Sequence, residues 1–181
     1  MFLSLVRERR SVRKYLTRPV EADKIDLLVE AALRSPSSRG FNPWQFIVVT
    51  APEVLDKLSR AKPHGAGFLK NAPLGIVVCG LPSVSDVWIE DCSIASIFIH
   101  LAAQSLGLGS CWIQIRERMY DQSRSSEAYV RDLLSIPETV KVESMVAIGY
   151  RDEEKAPHKK EALEQHKVFF EVYGRAHRPL P

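Results

Sequence analysis

The sequence predicts a single domain that is α+β or α/β, with helices around a sheet of four or five strands. Three observations carry that prediction. Short β-branched runs recur along the chain, each bounded by Pro, Gly or polar clusters. Between them lie longer segments with apolar residues at helical spacing. One central segment, Asp86 to Leu106, is apolar on most faces of a helix, as expected for a buried one. The 181 residues, 45% hydrophobic and 26% charged, suffice for one domain spanning 1–181 with a real core.

The elements follow in order. Phe2 to Arg9 reads as a short helix leading into a basic run. Glu21 to Leu33 is a second helix, with Ile25, Leu28, Val29 and Ala32 on one face. Pro19 precedes it and Ser35-Pro36 stops it. Ser35 to Pro43 is a loop by composition, in which Gly40 supplies an unusual backbone conformation. Gln45 to Thr50 is a strand, Pro52 to Ala61 a helix with Pro in its first turn, and Leu74 to Cys79 a buried strand. The long helix ends at Gly107, and a helix cap accounts for both Gly107 and Gly109. Ser110 to Ile115 is a third strand, Ser126 to Leu134 a helix, and Val140 to Gly149 holds a fourth strand. Lys155 to Lys160 is a charged loop. Val168 to Tyr173 has strand composition and needs a sheet edge, in this subunit or a neighbour.

Composition narrows the function. The formal net charge is only +3, a weak surplus for a general nucleic-acid binder. Cys79, Cys92 and Cys111 are odd in number, widely spaced and lack CxxC spacing. They fit neither a disulfide framework nor a zinc site, and point to a reducing compartment, the cytoplasm. Basic residues from Arg7 to Arg13 break the N-terminus before a signal-peptide core forms. The apolar stretch Ile94 to Ala103 is too short to span a bilayer. No membrane or nucleic-acid partner is expected.

The balanced total conceals a basic knot. Arg7, Arg9, Arg10, Arg13, Lys14 and Arg18 face one acid, Glu8. Guanidinium forks suit phosphate, and Ser11 adds a hydroxyl donor. The same cluster also reads as a solvated helix end. Ser35 to Trp44 offers hydroxyls and an amide beside a strand, where loops build ligand sites, and also reads as a plain connector. Gly107-Leu108-Gly109 runs from helix to strand, the wrong order for a dinucleotide turn. Cys111, His100 and Asp91 could be drawn as a nucleophilic triad, but Cys111 falls inside a buried strand and reads as structural.

Four segments in this order resemble the nitroreductase family of FMN-dependent oxidoreductases: Arg9 to Tyr15 (RRSVRKY), Ser35 to Val49, Asp91 to Ile113, and Val146 to Glu161. The resemblance spans nearly the whole chain. It implies an α+β subunit with a central, mostly antiparallel sheet flanked by helices, in an intertwined homodimer with C-terminal strand exchange. It implies FMN sites at the dimer interface. There Arg9, Arg10 and Ser11 approach the phosphate and ribityl chain, Arg13 lies near the pyrimidine end, and Lys159 and Lys160 complete the phosphate clamp. Pro36, Ser37 and Ser38 come from the other subunit, with Asn42 close by, and Gln114 and Ile115 bring main-chain groups to the N5 edge. Family members often carry an asparagine after the PSS-type triplet, where this chain has Gly40. The implied activity is hydride uptake from NADH or NADPH and ping-pong reduction of a small electrophile. An FMN carrier without turnover, and a phosphate- or nucleic-acid-binding module using the basic knot, are the alternatives.

Overall fold

The computed structural model describes residues 2–175. Helices α1 (Phe2–Glu8) and α2 (Ala22–Leu33) precede β1 (Trp44–Val49) and α3 (Pro52–Ser59). Then come β2 (Leu74–Gly80), α4 (Trp88–Ser105), β3 (Gly109–Gln114), α5 (Ser126–Leu134) and β4 (Lys141–Gly149). Each agrees with its sequence-predicted segment to within two residues at either end. The four strands form one sheet in the order β1-β2-β4-β3, and every pairing is antiparallel.

Sheet position explains the strand compositions. The central strands β2 and β4 are buried along almost their whole length, hence their unbroken apolar strings LGIVVC and MVAIG. Ile76, Val78, Val146 and Ile148 face α2 and α4. Val77, Cys79, Met145 and Ala147, in the alternate positions, face α3, α5 and the turn at Gly67–Asn71. Helices therefore cover both faces of the sheet. Each fully buried Leu or Ile adds about 1.5–3 kcal/mol of transfer free energy.

The 18-residue α4 packs Cys92, Ala95, Ile99 and Ala103 on the sheet, while Ile94 and Ile97 stay exposed. Its end is a Schellman cap: Gly107 (φ +75°) donates to Gln104 O at 3.2 Å, and Leu108 donates to Ala103 O at 2.8 Å. Gly109 is not part of that cap, contrary to the sequence reading. A Cβ there would lie 2.8 Å from the Val12 side chain, so its glycine is required by close approach of the N-terminal segment.

β4 contains a bulge. Val78 pairs with Ser144 and Cys79 with Val142, leaving Glu143 as the extra residue. The Val168–Tyr173 segment does not join the sheet, so the fifth strand expected from composition is absent from the sheet of this chain. The central strands are already paired on both sides, and the start of the outer β3 edge is taken by a bridge from Ser11 to Ser110. Val168, Phe169, Phe170, Val172 and Tyr173 are instead exposed, Tyr173 almost fully.

Candidate functional site

The basic segment is laid along the outer edge of β3. Val12 N–H donates to Ser110 O at 3.0 Å, and the Val12 side chain is buried. Tyr15, anchored in the core, donates its hydroxyl to Val12 O. These anchors alternate with the cations, so Arg9, Arg10 and Arg13 are displayed on a fixed backbone. The chain after β4 clasps the same segment. Lys155 Nζ donates to Ser11 O at 2.7 Å and pairs with Glu153 at 3.0 Å. Glu153 Oε1 accepts from Arg13 N at 2.5 Å and Lys14 N at 3.2 Å, which holds its carboxyl below the usual range. Arg10 donates to Ala156 O.

Among the described residues, no carboxylate forms an ion pair with Arg9, Arg10 or Arg13. The Arg13 guanidinium lies 5.7 Å from the Phe68 ring centroid. Burial pushes the Cys111 thiol above its usual range, an effect only partly offset by the positive charges of Arg13, Lys155 and Arg9. Burial, with Arg9 adding to it, lowers His100 to about 4, and its Nδ1 lies 2.7 Å from Ser110 Oγ. His100 is thus a neutral, buried prop under the basic segment. The drawn triad of Cys111, His100 and Asp91 does not exist: Asp91 lies in the first turn of α4 and His100 in its second half, about 14 Å further along its axis.

The other end of β3 keeps an open edge. Ile115 and Arg116 both donate N–H to Glu143 O at 3.0 Å. Main-chain direction alternates along a strand, and Ser110 O points outward to Val12. Gln114 therefore directs its N–H off the sheet, whereas that of Ile115 points inward and its side chain is fully buried. The Gln114 side chain is folded back: Oε1 accepts from Arg118 at 2.7 Å, and Nε2 donates to Arg116 O at 3.2 Å.

The loop between α2 and β1 is tightly shaped. Arg39, Gly40 and Asn42 have φ of +52°, +68° and +50°. Ser37 Oγ donates to Asn42 Oδ1 at 2.7 Å and accepts from Asn42 N at 2.9 Å. Asp91, buried at the start of α4, accepts from Ser38 N at 2.9 Å. Pro36 is exposed, and Ser37 and Ser38 are half-buried.

The structure thus brings Arg9, Arg10, Ser11 and Arg13 together at one end of α4. Pro36, Ser37, Ser38 and Asn42 gather at the other end. Lys159 and Lys160 are exposed, with no hydrogen bond or ion pair to the basic segment among the described residues. The lysine that reaches that segment is Lys155. Sequence reasoning did not single it out because the resemblance assigned the clamp to Lys159 and Lys160; the closeness of Lys155 to the end of β4 was the available signal. Phe68 and Asp91 were also missed as neighbours of the site.

The pattern of the Nitroreductase family matches residues 6–64 and 60–150. The chain belongs to the nitroreductase family. Among members, it is 40% identical over 157 residues, 84% of this chain and 87% of the relative, to an Archaeoglobus fulgidus protein named "Putative NADH dehydrogenase/NAD(P)H nitroreductase". A Methanothermobacter thermautotrophicus protein of the same name is 42% identical over 151 residues, covering 82% of this chain and 76% of that one. An FMN-dependent nitroreductase from Clostridium difficile R20291 superposes with a TM-score of 0.93 at 46% identity, over 94% of this chain and 99% of that one. The nitroreductase fold accounts for the four-stranded antiparallel sheet and its flanking helices.

Proposed function

We propose that this nitroreductase-family chain is an FMN-dependent oxidoreductase that takes hydride from NADH or NADPH and reduces a small electrophile in ping-pong fashion. The observation that carries this reading is the set of three arginines at the edge of β3, Arg9, Arg10 and Arg13, that have no carboxylate partner among the described residues, with Lys155, itself paired to Glu153, beside them. Such a set fits a bound anion, and Gln114 aims a main-chain donor off the same strand. These residues fit FMN. Arg9, Arg10 and Lys155 would hold the phosphate with Ser11 beside it, and Arg13 over Phe68 would sit at the pyrimidine end. FMN, when bound, supplies the redox chemistry. The protein binds and orients it, and its open edge leaves room for donor and acceptor in turn.

A homodimer is part of the same reading. The Ser37–Asn42 loop and the Arg9–Arg13 segment lie at opposite ends of α4 within one chain. A second copy with α4 antiparallel would bring the loop of one chain beside the cations of the other. Exposed Phe2, Val6, Ile94, Ile97 and Trp112 supply apolar surface for that contact, and the exposed Val168–Tyr173 segment, which lies outside the sheet of its own chain, would be the part exchanged. No helix among the described residues is long and apolar enough to cross a membrane. The three thiols are free and buried, as suits a reducing cytoplasm.

The purified protein should show flavin absorbance, or gain it on adding FMN. It should then oxidise NADH or NADPH with a quinone or nitroaromatic acceptor. Bound FMN without turnover would identify a flavin carrier instead, and no FMN binding would overturn the proposal. Arg9→Ala should weaken FMN binding by about 10- to 100-fold, the usual scale for a charge-assisted contact, measured by flavin fluorescence quenching.

A further inference from the structure

The Pro36–Asn42 loop carries three left-handed residues within four positions, two of them not glycine. Such a backbone persists only when its surroundings over-determine it. Its own Ser37–Asn42 bonds close the loop on itself. Just beyond it, Pro43 O accepts from Leu81 N at 2.9 Å, and among the described residues the side chain that ties residues 36–42 themselves to the body of the protein is Asp91. This carboxylate is 2% exposed, accepts from Ser38 N at 2.9 Å through Oδ1, and meets Ser85 Oγ at 3.4 Å through Oδ2. Ser85 Oγ in turn accepts from Val87 N at 3.3 Å, just ahead of α4. A rigid, sheet-packed helix therefore sets the position of the loop through one side chain.

We propose that Asp91 is a positioning residue for cofactor binding: it fixes the shape of the Ser37–Asn42 loop and so sets the affinity for flavin without touching it. This rests on the FMN reading above. A purely structural role is also conceivable, because an acid in the first turn of a helix interacts favourably with the helix dipole. The two roles differ in what they need. The dipole needs the charge, whereas the loop needs only an acceptor for Ser38 N.

Asp91→Asn keeps that acceptor and removes the charge; Asp91→Ala removes both. Flavin fluorescence quenching should show FMN affinity at least tenfold weaker in Asp91→Ala and within threefold of wild type in Asp91→Asn. Hydrogen exchange on the cofactor-free protein should speed up over residues 37–42 in Asp91→Ala, with α4 residues 95–103 unchanged. A second pair covers the case in which Asp91→Ala does not fold. Ser38 opens a 3-10 turn after an extended Ser37, a place where proline fits the backbone. Ser38→Pro deletes the N–H that Asp91 accepts, whereas Ser38→Ala keeps it, so Ser38→Pro should bind FMN at least tenfold more weakly than Ser38→Ala. Wild-type affinity in Asp91→Ala, or equal affinity in the two Ser38 variants, overturns the inference. Wild-type protein that binds no FMN overturns the underlying reading instead.

Discussion

Two buried ionisable side chains beside the site have opposite pH signatures. His100 is held near 4 by burial, well below its ordinary 6.5. The folded state prefers the neutral ring, so its stability is complete above about 6.5 and falls as pH drops toward 4. That preference is worth on the order of 3 kcal/mol. Chemical denaturation at pH 7 and pH 4 should show that loss in wild type and a smaller one in His100→Gln. Glu143 is the converse. Burial raises its carboxyl, and Oε2 has no hydrogen-bond partner among the described residues. The folded state prefers the protonated acid, and the charged form becomes costly as pH rises through the raised pKa. Glu143→Gln should therefore stabilise the protein by about 1–3 kcal/mol at pH 8 and much less at pH 5, read from denaturation midpoints. The sequence exposed neither environment. Glu143 sits in a strand whose alternation is shifted by a bulge, and a bulge is invisible in composition. His100 fell on an apolar helix, which announced burial but not the Ser110 partner.

At the scale of elements, the two glycines after α4 perform different tasks, and a pair of substitutions separates them. Gly107→Ala meets open space but keeps a left-handed backbone, which costs about 1–2 kcal/mol. Gly109→Ala would drive a methyl group into Val12 and Arg151, both within 2.8 Å. It should push the Ser11–Ser110 bridge apart. We expect Gly109→Ala to lower FMN affinity along with melting temperature, whereas Gly107→Ala should lower melting temperature alone. Calorimetry and FMN titration of the two proteins check this. The elements themselves were legible because hydrophobic period and breakers fix where helices and strands begin. What could not be read was their tertiary use. Lys155 reaches Ser11 only because β4 ends beside the bridge, and Asp91 reaches Ser38 only because α4 begins below the loop.

For the whole molecule, the apolar side chains left exposed are the informative ones. Val172 is 61% and Tyr173 92% exposed, so neither contributes appreciably to the core of its own chain. Charging both (Val172→Asp with Tyr173→Asp) should leave the far-ultraviolet circular dichroism of the subunit intact. If the chain forms the proposed homodimer, sedimentation should nevertheless show a shift from dimer toward monomer. An unchanged dimer would mean that this segment contributes nothing to assembly. A sheet of four or five strands was anticipated from the sequence and has four in this chain, whereas the tail was read as a strand from composition alone. Composition favours a strand there, but pairing depends on a neighbour that one chain does not contain.

The open side of β3 has a consequence for the empty protein. Main-chain donors directed away from a sheet are templates for any extended chain that drifts past. Here the basic segment closes the Ser110 end with a bridge, and among the described residues the Gln114 end has no strand beside it. A bound planar molecule at that edge would act as a shield as well as a reactant. If the proposed flavin lies along this edge, it would cover those donors, and the flavin-free protein should aggregate faster than the loaded one, as light scattering would show.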